Sequence, residues 1–151
     1  KWPNDILVEG KKLAGILTES SCDRERILYV ILGIGVNVNF SRELMPESIR
    51  GIATSLLILG GKAVDRSAFV LQLIQNLEQC YGELEEEGFS FLAERWAGFF
   101  RLKGKRVRVQ MLEQAILGKA MGIDIDGALI LEDEKGFVQR IVAGEGIPLE
   151  P

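Results

Sequence analysis

Lys1-Trp2-Pro3-Asn4-Asp5 runs directly into the apolar stretch Ile6-Leu7-Val8. Glu9-Gly10-Lys11 reads as a turn into a second strand, Lys12-Leu13-Ala14-Gly15-Ile16-Leu17, and a third strand carries Gly33-Ile34-Gly35-Val36-Asn37-Val38-Asn39. Alternating or continuous apolar runs bounded by glycine turns are strand signals. The pattern predicts three consecutive strands of one sheet over residues 5–39, with Ser20 to Glu25 as the polar loop before the third. Ile27 to Val38 is apolar at nearly every position, which predicts a central strand covered on both faces. Glycine inside a strand weakens it and marks a place where a ligand or another backbone comes close. Gly15, Gly33 and Gly35 therefore outline either a flat ligand floor or a seat for a helix.

Further along, Ile52 to Leu57 reads as a short turn or helical segment closed by Gly60-Gly61. Apolar residues Val70, Leu73, Ile74, Leu77, Cys80, Tyr81 and Leu84 recur at helical spacing between about Ser67 and Glu87, predicting a helix whose stripe faces a core. Asp65 or Ser67 can cap its start and Gly88 can end it. Glu83 and Glu85 to Glu87 read as a solvated face, and a shorter helix follows from Ser90. Beyond Leu102 the spacing changes: Val107, Val109 and Met111 alternate with Arg106, Arg108 and Gln110, and Asp126-Gly127 and Lys135-Gly136 supply turns. Short strands joined by glycine turns predict a small antiparallel barrel, so the fold class is α+β, with domains at 1–102 and 103–151.

The 151 residues accommodate one domain plus a small satellite. A content of 47% hydrophobic and 26% charged residues fits a globular chain. Eighteen Lys and Arg against 22 Asp and Glu give a net charge of −4, which argues against a nucleic-acid surface. No apolar run reaches the roughly 20 residues that cross a bilayer as a helix, and no signal-peptide pattern opens the chain. The expected location is the cytoplasm. Two cysteines, Cys22 in a polar turn and Cys80 on a helical stripe, are too few for a zinc cluster, and Cys80 reads as a reduced core thiol. The chain has no histidine, which excludes Ser-His and Cys-His triads from it. Chemistry here has to run on lysine, arginine, carboxylates and backbone dipoles.

The motifs KWPND (1–5), KKLAGIL (11–17) and GIGVNVN (33–39), in that order, resemble the catalytic core of biotin protein ligases. The resemblance covers the whole chain but only the later part of the family's catalytic domain and its small SH3-like C-terminal domain. It implies a class II aminoacyl-tRNA synthetase-like mixed sheet with packed helices, followed by an SH3-like β-barrel. It also implies an activity: biotin and MgATP give biotinoyl-AMP, and a lysine of a carboxylase carrier domain, such as the biotin carboxyl carrier protein of acetyl-CoA carboxylase, then takes the biotin.

An anionic carboxylate attacking an anionic phosphate needs fixed cations and N–H donors aimed at the phosphoryl oxygens. By resemblance Lys1 is that catalytic cation and touches both the ligand carboxylate and the adenylate phosphate. Trp2 suits a ligand pocket or, on ordinary physical grounds, the core. Asn4 and Asp5 are expected to hydrogen-bond the turn that positions Lys1. Lys12 is a surface charge or faces the ligand; Gly15, Gly33 and Gly35 would floor the biotin slot. Asn37 is a strand-end cap or, by resemblance, a ligand for the nucleotide's phosphate or its Mg2+. Thr54 and Ser55 resemble a family segment close to the adenine.

The family's Gly-Arg-Gly-Arg-x-Gly-Arg loop does not occur in these residues. It would precede residue 1, so the chain is expected to be a fragment with little ligase activity alone, and exposed sheet edges could favour a homodimer. Two other readings stay open. A lipoate ligase-like enzyme would share the fold and the lysine; a non-catalytic biotin- or adenylate-binding module, or a bare dimerisation domain, would lack the chemistry.

Overall fold

The computed structural model describes residues 1–24, 26–111 and 115–149. It is an α+β structure with two antiparallel sheets, and the chain divides into two compact units. One comprises Asn4–Val70; the other comprises Lys1–Pro3 together with Leu71–Pro151.

In the Asn4–Val70 unit, strands β1 (Asp5–Val8), β2 (Lys11–Cys22) and β3 (Ile27–Val36) form a sheet in the order β1-β2-β3. The β1–β2 turn needs two residues at positive φ, and Glu9 (51°) and Gly10 (77°) supply them, as in a tight hairpin. Between Ile6 and Leu7 the register jumps: Ile6 faces Ala14 while Leu7 faces Lys12, so Leu13 is an extra residue on β2. The third strand is a correction to the sequence reading. Among the described residues β3 pairs only with β2, and Ile27 to Leu32 are between 48% and 64% exposed. Among the described residues neither face of that stretch is covered, although its composition reads as that of a central strand.

After a 3-10 turn at Glu47–Ile49, helix α1 (Leu56–Gly60) begins at Ser55, whose hydroxyl accepts from Ile58 N at 3.1 Å and donates to Phe40 O at 2.6 Å. Helix α2 (Arg66–Glu87) starts under an Asp65 cap that receives the N–H groups of Ser67 and Ala68. No residue of α2 is buried. The expected core-facing stripe is therefore weaker than its spacing suggests: Leu73, Leu77 and Cys80 are half-buried, and Val70, Ile74, Tyr81 and Leu84 are exposed.

The other unit contains most of α2, helix α3 (Phe89–Ala97) and strands β4 (Arg106–Gln110), β5 (Ala115–Ile123), β6 (Leu129–Glu132), β7 (Val138–Ile141) and β8 (Glu145–Pro148). The sheet order is β7-β6-β5-β4-β8, antiparallel throughout. Its core holds Trp2, Phe100, Leu102, Val107, Val109, Leu129, Leu131 and Ile141. Val107 and Val109 point inward while Arg106 and Arg108 point outward, which is the period-two alternation read from sequence. Two turns are built alike. Asp124 accepts from the N–H groups of Asp126 and Ala128, Asp133 accepts from those of Lys135 and Phe137, and Gly127 and Gly136 take the positive φ that closes each turn.

Candidate active site

The predicted site residues fall into two groups, one in each unit. In the Asn4–Val70 unit the sheet register builds a row across three strands: Asp5 faces Gly15, and Gly15 faces Gly35. Residues directly opposite in a sheet share a face, so two of the three positions in this row carry no side chain. An open cleft of about 490 Å³ lies here, lined by Lys12, Gly15, Gly35, Asn37, Ile52 and Ala53 among others. Its walls are fixed by backbone bonds. Lys12 N donates to Ile52 O at 2.8 Å, Thr54 N to Lys12 O at 2.9 Å, and Asn37 N to Leu13 O at 2.9 Å.

Lys12 Nζ lies 2.6 Å from Asp5 Oδ1. The Asn37 side-chain amide donates to Lys12 O at 3.4 Å, and β3 ends one residue before it. Gly33 lies further along β3 opposite Leu17 and does not line the cleft. Thr54 and Ser55 are buried just after Ala53, and the Ser55 hydroxyl is engaged in capping α1. Asn4 sends its amide to Ile16 O at 2.8 Å, a bond that ties it to β2.

In the other unit, Lys1 is 14% exposed and its Nζ sits 2.6 Å from Oε1 of Glu145, the first residue of β8. Trp2 is 4% exposed, with its indole N–H donating to Gly127 O at 3.1 Å. It also lines, with Pro3, Phe89, Trp96, Asp126 and Arg140, a cleft of about 440 Å³. The Trp2–Pro3 peptide is cis. Arg140 pairs with Asp124 and Asp126. The hydrogen bond from Arg140 holds the Asp124 carboxyl below the usual aspartate range, and the same bond raises the guanidinium. Arg106 is paired with Glu134 and Arg108 bonds Gln110.

Two partners escaped the sequence reading. Asp5 opposite Gly15 follows from hairpin register and could have been found by pairing β1 with β2. Glu145 lies 144 positions from Lys1 and carries no local signal. Among the described residues no group of three or more His, Cys, Asp or Glu could hold a metal ion, and no helix is long and apolar enough to cross a membrane.

The chain is similar to proteins of the biotin and lipoate ligase class: residues 1–37 match the Biotin/lipoate A/B protein ligase family, and residues 103–145 match the Biotin protein ligase C terminal domain. The chain is 38% identical over 137 residues to the Bifunctional ligase/repressor BirA of Bacillus subtilis, covering 91% of this chain and 42% of that protein. It is 37% identical over 150 residues to the Biotin--[acetyl-CoA-carboxylase] ligase of Mycobacterium tuberculosis, covering 99% and 52%. The apo structure of biotin protein ligase from Aquifex aeolicus superposes with a TM-score of 0.82 at 30% identity, covering 96% of this chain and 62% of that one. The same enzyme in complex with biotin and ATP gives 0.79 at 28% identity, covering 96% and 59%. This chain belongs to the biotin protein ligase family, and it spans about half the length of the curated relatives it matches.

Proposed function

We propose that the protein carrying this chain is an ATP-dependent, AMP-forming biotin–protein ligase of the cytoplasm. The observation that carries the reading is the cleft lined by Lys12, Gly15, Gly35 and Asn37, four residues of the stretch that matches the ligase family. A flat fused ring needs a floor without side chains, and Gly35 offers one beside the Lys12–Asp5 pair that lies over Gly15; Gly33 extends the glycine run along β3. Lys1 acts on the reacting groups. The biotin carboxylate attacks the α-phosphorus of ATP, the bond to the bridging oxygen breaks, pyrophosphate leaves, and the ammonium stabilises charge on the phosphoryl oxygens. The ε-amine of a carrier lysine, from the biotin carboxyl carrier protein of acetyl-CoA carboxylase, then attacks the acyl carbon of biotinoyl-AMP, losing a proton as AMP departs. Lys12 completes the substrate contacts and Asn37 serves the nucleotide, while Trp2, Thr54 and Ser55, at 4%, 3% and 0% exposure, hold their surroundings in place from within the packing.

The donor chemistry fits Mg2+ only as a companion of the nucleotide: Asn37 offers one amide oxygen, and Mg2+ in such sites is held mainly by phosphates and water. Bound there, it would neutralise phosphate charge. Residues 103–151 form the family's SH3-like domain and 1–102 the later part of the catalytic domain, a boundary supported by the C-terminal match starting at residue 103. The protein's proposed assembly is a homodimer. Biotin-dependent exchange of labelled pyrophosphate into ATP by the full-length gene product, followed by biotin transfer to a carrier domain, tests the reading. Lipoate is the competing substrate, because the family matched by residues 1–37 includes lipoate ligases; exchange driven by lipoate and not biotin would replace it.

A further inference from the structure

We propose that Asp5 is a positioning residue that fixes Lys12 across the glycine floor as an oxyanion-receiving ammonium; this rests on the ligase reading above and adds a residue to it. In a regular strand Lys12 and Gly15, three positions apart, would point to opposite faces. The extra residue Leu13 in the β1–β2 register removes that alternation, as bulges do when they re-aim a side chain. Lys12 thereby returns to the face shared by Asp5, Gly15 and Gly35. A Cβ built on Gly15 would stand 3.2 Å from both Cε and Nζ of Lys12 and 3.4 Å from Asp5 Oδ1, so the lysine lies directly over the glycine.

The Asp5 carboxylate, with its side chain only 15% exposed, takes one of the three ammonium N–H groups at 2.6 Å. The other two remain for an anion in the cleft, where Lys12 is the only charged lining residue among those described. A lysine on a free stem loses much rotamer freedom when it binds an anion; one already held by Asp5 has lost it beforehand. The absence of a side chain at Gly15 is what lets the pair close. The anion is an oxyanion of the substrates, either the biotin carboxylate or an ATP phosphate.

The experiment uses the full-length gene product, with calorimetry against biotin, biotinol (which lacks the carboxylate) and ATP, alongside pyrophosphate exchange. Asp5→Asn should weaken one oxyanion ligand by about tenfold, as expected for loss of preorganisation, and leave biotinol binding within about twofold. Selective loss for biotin assigns Lys12 to the carboxylate; selective loss for ATP assigns it to a phosphate. Asp5→Glu should restore most of the loss. Asp5→Asn should add little to Lys12→Met, since both break one interaction. Equal weakening of biotinol, additive effects of the two substitutions, or no change in either oxyanion ligand overturns the proposal while leaving the ligase reading intact. A wild-type protein without biotin-dependent exchange overturns both.

Discussion

Lys1 Nζ and Glu145 Oε1 lie 2.6 Å apart, joining the first residue of the KWPND segment to the first residue of β8. The lysine is 14% exposed and the glutamate 59%, so the pair is screened on the carboxylate side and its direct contribution to stability is at most about 1 kcal/mol. Its consequence is for geometry. Glu145→Gln should leave the urea midpoint nearly unchanged, while kcat/KM for biotin activation falls by roughly tenfold through a less fixed Lys1. Steady-state pyrophosphate exchange checks this, and Glu145→Lys should be worse because it sets two cations side by side.

Trp2 belongs to the core of the unit that contains the five-stranded sheet. Trp2→Ala removes a buried aromatic and should destabilise by about 3–5 kcal/mol. Trp2→Phe retains most of the packing but loses the bond to Gly127 O, which should cost about 1 kcal/mol. Urea unfolding followed by circular dichroism distinguishes the two.

Gly15→Ala places a methyl group against Lys12 and Asp5, both of which are side chains and can swing away. The expected outcome is a small change in melting temperature with biotin or ATP affinity reduced by about tenfold, the ligand affected being the same one affected by Asp5→Asn. Calorimetry on both variants makes the comparison.

Asp124 has a folded-state pKa depressed by the hydrogen bond from Arg140. The sign follows from linkage: stability from this carboxylate is fully present above its unfolded pKa of about 3.9 and is lost as pH falls through the lower folded value. Acid unfolding should therefore steepen below about pH 4. Asp124→Asn keeps an oxygen for the turn N–H groups and removes the ionisation, so it should lose stability at neutral pH and flatten that acid limb. Chemical denaturation at several pH values reads both effects.

Much of the fold is legible in the sequence because it is written in local chemistry. Gly10, Gly127 and Gly136 mark turns that require positive φ, Asp65 caps α2, and the alternation at Val107 and Val109 records a sheet with one buried face. The misreadings come from non-local facts. Ile27 to Leu32 has the composition of a covered strand, but composition does not say which residues cover it, and none of those described does. The α2 stripe has helical spacing, yet spacing says nothing about how deeply a stripe is covered. At the candidate site the glycines and lysines are visible as a motif. The partners that orient the lysines are not: Leu13 carries no sign that it is an extra residue, and Glu145 is distant in sequence from Lys1.

The most direct test of the central claim, that Lys1 is the cation of a biotin-activating site, is pyrophosphate exchange by the full-length gene product with wild-type Lys1 and with Lys1→Met. Exchange should depend on biotin and fall by about a hundredfold or more in the variant, as for loss of a transition-state charge partner. Exchange that persists without biotin, or that survives Lys1→Met undiminished, contradicts the claim.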